Sequence, residues 1–305
     1  CFIMKKLNIF NLKISVHIPF YFDKDKKKKT QHLDKICNTY LKFSKKTKIF
    51  IHTNKRKISH NKRIKYIYYD LTNKHPFLLT WMPRKLMKKQ ANKFDIFIYT
   101  EDDILFTKKN LEYWLKNKDA CIKNNYNLGF LRVEKNNSLY AIDQIRKLKF
   151  YKKIGKTFFI VIENPYCAFW IYDKSEFGKF IKTKYYNFKW KFLKIGNVNL
   201  MREMASIGWH GYDTKKGFSM GRYNASIIPL KGRLLDKNSF IYHLSSNYSK
   251  NPAGLFGTFK IKYLLEKNLV KFITPTYLEK SINKTLFYLY SLFRINFKNL
   301  KRKII

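Results

Sequence analysis

A chain of 305 residues that is 45% hydrophobic can build a packed core, which excludes disorder as its general state. Its 64 Lys and Arg stand against 20 Asp and Glu, a formal net charge of +44, and aromatic residues make up 18%. The lysines are spread along the whole chain and accompany many Ile, Asn, Phe and Tyr, all residues of A/T-rich codons, so the charge reads as compositional bias; no specific nucleic acid is expected, only a general pull toward anionic surfaces.

The first half alternates two kinds of segment. Residues 13–22 read as a strand rich in β-branched and aromatic side chains. Residues 28–46 place Leu33, Ile36, Cys37, Tyr40, Leu41 and Phe43 at helical spacing. Residues 48–52 and 64–69 are further strands, and 77–92 are helical in part, with Pro83 constraining the start. The apolar run 94–100 reads as a buried parallel strand. Residues 109–124 form an amphipathic helix that Thr107 can cap. Such alternation predicts an α/β fold with a mostly parallel central sheet flanked by helices.

The second half is less regular. Strands are expected at 128–134, 157–163, 166–172 and 240–242, and helices at 175–183, 199–208, 255–267 and 277–297. The domain is expected to span 13–254, with halves at 13–134 and 135–254, followed by a basic, amphipathic helical tail at 255–305. That tail either lies on an anionic membrane or packs on the domain. Cys1, Cys37, Cys121 and Cys167 show no CxxC spacing and no histidine clustering, which fits reduced thiols of a cytoplasmic protein. No signal peptide and no bilayer-length apolar run is evident, and Met4 is the candidate start.

Three adjacent carboxylates, Glu101-Asp102-Asp103, follow the 94–100 strand in a chain short of acid. In open α/β sheets ligands gather at the carboxyl ends of strands. Neighbouring anions repel unless a cation holds them, and carboxylate oxygens suit Mg²⁺ or Mn²⁺. The competing reading is an acidic turn ahead of the next helix. No GxGxxG, Walker A, HExxH or GxSxG pattern is present, which weighs against dinucleotide, P-loop, zincin and hydrolase functions.

An α/β half, an acidic triplet at a strand end, a second half and a late lone His243 resemble a GT-A-fold glycosyltransferase over roughly residues 13 to 250. The triplet stands where that superfamily has its Asp-x-Asp motif and is similar to the N-acetylglucosaminyltransferase I form. The resemblance implies a nucleotide-sugar donor, a glycan or lipid-linked acceptor, and Mn²⁺ or Mg²⁺ held by Asp103, with His243 as a further metal or diphosphate contact. It places Glu101 and Asp102 near the ribose or the metal's waters. For an inverting reaction it asks for a carboxylate base, with Glu203 the first candidate and Asp213 the second. Pro19, Tyr21, Thr53 and Asn54 are candidates for the base and ribose, and Arg84 and Lys250 for the phosphates. Each has a bland alternative: core packing for Tyr21, a surface ion pair for Glu203, backbone hydrogen bonding for His243, solvated charge for Arg84 and Lys250. Trp209 and Tyr212, in the Gly-rich stretch 208–221, are either sugar platforms or core. Three rivals remain: a sugar nucleotidyltransferase, which needs a Gly-rich loop that residues 22–30 lack; a non-catalytic nucleic-acid-binding protein; and an inactive glycosyltransferase-like chain.

Overall fold

The structure, a computed structural model, describes residues 9–23, 27–144, 147–162, 164–183, 186–187, 201–210, 212–213, 217–218, 225–250 and 258–273. The first half runs β1 (Ile14–Phe20), α1 (Lys27–Leu41), β2 (Lys48–Thr53), β3 (Ile64–Tyr68), α2 (Pro83–Lys89), β4 (Ile96–Thr100), β5 (Ile104–Leu105), α3 (Lys108–Lys123), β6 (Asn127–Leu128) and β7 (Leu131–Lys135). Then come β8 (Leu139–Ile142), β9 (Leu148–Ile154), β10 (Thr157–Ile162), β11 (Phe169–Asp173), α4 (Lys174–Phe180), α5 (Met201–Ser206), β12 (Tyr212–Asp213) and β13 (Gly217–Phe218). The last described elements are β14 (Ser226–Lys231), β15 (Leu234–Leu235), β16 (Phe240–His243), β17 (Thr258–Lys260) and β18 (Leu265–Lys271).

The central sheet has the order β11-β4-β1-β2-β3. Its first four strands in the chain are parallel, and β11 closes one edge antiparallel to β4. Side-chain alternation sends Ile14, Val16, Ile18 and Phe20 to one face, where they meet Leu33, Ile36 and Tyr40 of α1 and Leu111 and Trp114 of α3. The opposite face, with Phe50, Phe97, Tyr99, Trp170 and Tyr172, packs on Met87 of α2, Phe177 and Phe180 of α4 and Ala205 of α5. Helices on both faces explain why β1 and β4 are buried throughout; β4 reads as a nearly unbroken apolar run, while β1 carries Ser15 and His17 on the face toward the second core. Local chemistry starts the helices as expected: Thr107 and Asn110 form a reciprocal capping box on α3, and Pro83 opens α2. The chain is thus a mixed α/β protein with a mostly parallel central sheet.

Two further sheets, mostly antiparallel, follow the orders β15-β14-β10-β9-β18 and β17-β8-β7-β16-β5. They share a core that includes Leu131, Val133, Leu148, Ile160, Ile228 and Phe240. The last pairing positions the site, because β5 leaves the acidic triplet and pairs directly with β16, Ile104 opposite His243.

Three expectations change. Residues 255–267 were expected as helix, but 258–260 pair with β8 and 265–271 with β9; sheet edges recruited an apolar run whose spacing suits either state. The expected strand 128–134 breaks at Gly129 into β6 and β7, which join different sheets. A Cβ at Gly129 would stand 2.5 Å from Ile162 Cδ1, so a larger residue there would have to push that side-chain end aside. The expected strand 166–172 begins only at Phe169, after Ala168 in the left-handed region at φ 55°. The tail helix expected at 277–297 lies outside the described residues. No helix among the described residues is long and apolar enough to cross a membrane.

Candidate functional site

The triplet occupies the turn between β4 and β5, at the carboxyl end of a central parallel strand. Glu101 N donates to Ala168 O at 3.0 Å, and Leu244 N donates to Asp103 O at 2.8 Å, so neighbouring strands hold both ends of the turn. Glu101 Oε1 accepts from Ser206 Oγ of α5 at 2.9 Å, with Tyr166 Oη at 3.5 Å. Burial, with Asp103 beside it, pushes the Glu101 carboxyl up to about 7. Burial and Asp103 likewise push Asp102 up to about 6; its nearest cation, Lys29 of α1, is 3.9 Å away.

Asp103 behaves differently. Burial alone would raise it, yet its pKa is lowered because His243 donates to it and because Arg132 and His32 add positive field. His243 Nε2 lies 3.1 Å from Asp103 Oδ2, and Nδ1 lies 2.5 Å from Glu134 Oε1. Glu134, fully buried on β7, also accepts from Tyr248 N at 3.1 Å and Ser249 N at 2.5 Å. Burial opposes charge on His243, but the two carboxylates outweigh it and raise its pKa to about 9. The result is a line, Asp103–His243–Glu134, tying the triplet turn to two strands of another sheet. Both imidazole nitrogens are engaged, so in this geometry His243 clamps Asp103 rather than offering an open lone pair.

A third layer backs this line. Arg132 of β7 forms a buried ion pair with Asp143 and lies between the rings of Tyr166 and Tyr248, 5.1 and 5.3 Å from their centroids. Glu203 of α5 feels the fields of Arg202, Arg132 and Asp143; burial dominates and raises its pKa, and its Oε2 is buried without a hydrogen-bond partner among the described residues. A carboxylate so placed is a stronger base than an exposed one.

The other predicted residues are dispersed. Pro19 is buried one residue before the end of β1, and Tyr21 is half-buried just beyond that end. Thr53 is buried at the end of β2, where its hydroxyl accepts from Lys55 N at 3.2 Å. Asn54 bridges the strand ends, accepting from Phe22 N at 2.8 Å and donating to Phe22 O at 3.1 Å. Arg84, expected at the surface or the diphosphate, is instead buried in the second core. It donates to Tyr186 O at 2.9 Å and Ala205 O at 3.1 Å and stacks 4.1 Å over Trp81. Trp209 is core as well, stacked on Phe180, and Gly208 before it has φ +65°, where a Cβ would meet Tyr172 Oη at 2.6 Å. Lys250 is exposed, one residue past the amide of Ser249 that binds Glu134. Only the backbone of Tyr212 and Asp213 is described, in a short hairpin with β13.

Sequence reading did not find Glu134, Ser206, Lys29 or the Arg132–Asp143 pair. Glu134 had no local signal, since its strand reads LRVEK with three charged residues in five; it and the others depend on which strands become neighbours.

The residues present fit a hard divalent cation. Glu101 and Asp102 are incompletely neutralised by the protein, and Asp102 and Asp103 offer adjacent carboxylate oxygens. Among the described residues no three His, Cys, Asp or Glu side chains form a metal cage. Two adjacent carboxylates are a donor set that a Mg²⁺-like ion can use, since such ions take one or two carboxylates and complete their shell with water and phosphate oxygens.

No family profile and no curated protein sequence matches the chain. Among solved structures it is similar to 4-diphosphocytidyl-2C-methyl-D-erythritol synthase from Anaerococcus prevotii, at 13% identity over 64% of this chain and 83% of that one, with a TM-score of 0.30. It is also similar to a glycosyltransferase involved in the glycosylation of the major capsid of PBCV-1, at 12% identity over 40% of this chain and 50% of that one, with a TM-score of 0.20. The chain thus spans half the length of that second protein. Both superpositions are loose, and neither carries a functional conclusion.

Proposed function

We propose that the chain is a metal-dependent glycosyltransferase of the GT-A type, moving a sugar from a nucleotide-sugar donor to a hydroxyl of a glycan or lipid-linked acceptor. The observation that carries this reading is the Glu101-Asp102-Asp103 turn at the end of β4, with Asp103 clamped by His243 from a separate sheet. Asp103, with Asp102 beside it, would hold Mn²⁺ or Mg²⁺. When bound, such an ion offsets the negative charge that builds on a departing diphosphate.

The chain's own residues do the rest. Glu134 fixes the imidazole of His243, and His243 fixes the carboxylate of Asp103. Ser206 and Tyr166 hold Glu101 against the turn. Glu203 is the candidate base that takes the proton from the acceptor hydroxyl in an inverting transfer, and Asp213 is the second candidate. Tyr21, just past the end of β1, is the candidate contact for the nucleoside, with Pro19 behind it in the strand; Asn54 ties down the segment after Tyr21 through the backbone of Phe22.

Thermal-shift titration with UDP- and GDP-sugars, with and without Mn²⁺, tests the reading on wild type and Asp103→Ala. The expected result is a metal-dependent shift for one nucleotide family that disappears in the variant, with transfer falling about 100-fold or more. Pyrophosphate release from a nucleoside triphosphate, without sugar transfer, would move the protein to the nucleotidyltransferases. No shift with any nucleotide would overturn both.

A further inference from the structure

One end of the β15-β14-β10-β9-β18 sheet is unlike the rest of the surface. The strand registers bring three chain segments to that end: the β9–β10 turn, the β14–β15 turn, and the exit of β18. Thr157 follows the first turn and pairs with Ile154; Lys231 and Leu234 flank the second and pair with each other. Since Phe159 is opposite Pro229, the two turns lie side by side. Phe272 N donates to Tyr151 O at 2.6 Å, which sets Ile273 beside Lys153 at the same end.

These segments carry four large apolar side chains in water: Ile273 is 81% exposed, Leu234 69%, Val270 50% and Phe158 44%. Exposed Lys153, Lys156, Lys231, Arg233 and Lys271 surround them. Within residues 151–158, 229–236 and 269–273 the sole carboxylate is Asp236, which is buried and already paired with Lys231 at 3.1 Å. Both turns stand clear of the body: Gly155 at φ +56° and Gly232 at φ +62° have nothing within 4 Å of a built Cβ. Five strands at ordinary spacing make this end about 20 Å wide.

We infer that this sheet end is a docking surface for an anionic lipid bilayer. Charge selects the partner: five cations with no free carboxylate match a surface of negative headgroups, and they repel a second copy of the same face. The apolar side chains separate lipid from nucleic acid. Aliphatic Ile273 and Leu234 gain nothing from phosphates, whereas entry into the acyl boundary removes their surface from water. The chain then continues beyond Ile273 with Lys280, Lys284, Arg294, Lys298, Lys301, Arg302 and Lys303 and one acidic residue, Glu279, so the same attraction extends along its sequence.

Flotation of the full chain with vesicles of phosphatidylcholine, alone or mixed with phosphatidylglycerol, tests this. Wild type floats with the anionic vesicles only. Leu234→Ser with Ile273→Ser weakens binding by roughly tenfold or more. Lys156→Glu with Arg233→Glu weakens it similarly and flattens what remains of its salt dependence. Ile58→Ser, 93% exposed on the central sheet's loop, changes nothing. Because all these positions are solvent-exposed, unchanged melting temperatures verify that the variants fold. The inference is overturned if wild type does not float, if it floats equally on neutral vesicles, or if both sheet-end variants bind like wild type while Lys298→Glu with Lys301→Glu does not. RNA capture weakened by Arg233→Glu, without vesicle binding, would make the surface a nucleic-acid one and overturn it too.

Discussion

His17 and His52 stand side by side on β1 and β2, facing the second core, while His243 ends β16 on another sheet. All three are buried, at 0%, 0% and 7% exposure. His17 Nδ1 lies 2.9 Å from His52 Nε2, His17 Nε2 reaches Gln90 Oε1 at 3.2 Å and Ser15 Oγ at 2.8 Å, and His52 Nδ1 lies 2.9 Å from Tyr69 Oη. Every partner in that chain is neutral, so desolvation prevails: His17 falls to about 3, and His52 well below its ordinary value. His243 is desolvated too, but Asp103 and Glu134 flank it and its pKa rises to about 9. Burial alone therefore does not set the charge of a histidine; the charge of its partners does. The neutral chain braces the central sheet, and the charged one holds the carboxylate that the proposed reaction needs.

The most severe way to break this contrast is Glu134→Ala. It leaves a buried imidazolium with one carboxylate and strips the amides of Tyr248 and Ser249 of their acceptor. Removing one partner of a buried charged pair destabilises by about 3–5 kcal/mol. Urea unfolding measures it, and Glu134→Gln, which keeps an acceptor oxygen, should recover part of the loss. A loss below about 1 kcal/mol for the alanine variant would mean that His243 is not held as a cation.

Acid separates the clusters next. His17 is ordinarily half-protonated near 6.5 and, folded, only near 3. Between those values the unfolded chain binds a proton that the folded chain refuses, so stability is full above pH 6.5 and is lost as pH falls toward 3. From pH 6.5 to 4 this one group removes about 3 kcal/mol, and His52 adds in the same direction. His17→Gln should flatten the stability curve over that window. Superimposable curves for wild type and variant would show that His17 protonates inside the fold.

What could be read in advance follows from range. The β4 strand and its triplet were legible because a strand buried on both faces is mostly apolar, and because adjacent carboxylates stand out in a basic chain. Thr107 marked the start of α3 by purely local chemistry. Glu134, Ser206 and Arg132 became site residues only through tertiary pairing, β7 beside β16 and α5 beside the triplet turn. Arg84 misled for the same reason: its guanidinium found carbonyls and rings in a core that no local pattern reveals. Residues 255–267 misled because free edges of β8 and β9 decided between two states that the apolar spacing allowed.

The mildest substitution probes the direction of the neutral chain. Gln90 Oε1 accepts from Ser15 Oγ and cannot donate, so His17 Nε2 carries the proton that faces it. His17 Nδ1 then accepts from His52 Nε2–H, and His52 Nδ1, left as an acceptor, takes the Tyr69 hydroxyl proton at 2.9 Å in preference to that hydroxyl's longer contact with Met82 O at 3.4 Å. Tyr69→Phe removes that last donor and leaves one ring nitrogen unserved. Tyr69 is only half-buried, so water can approach, and the expected loss is about 1 kcal/mol, a fall of a few degrees in Tm. Nitrogen NMR of the imidazoles provides the sharper reading. In wild type both rings should be neutral Nε2–H tautomers; in the variant His52 should lose that single assignment while His17 keeps it. An Nδ1–H tautomer at His17 in wild type would reverse the chain and refute the polarity derived from Gln90.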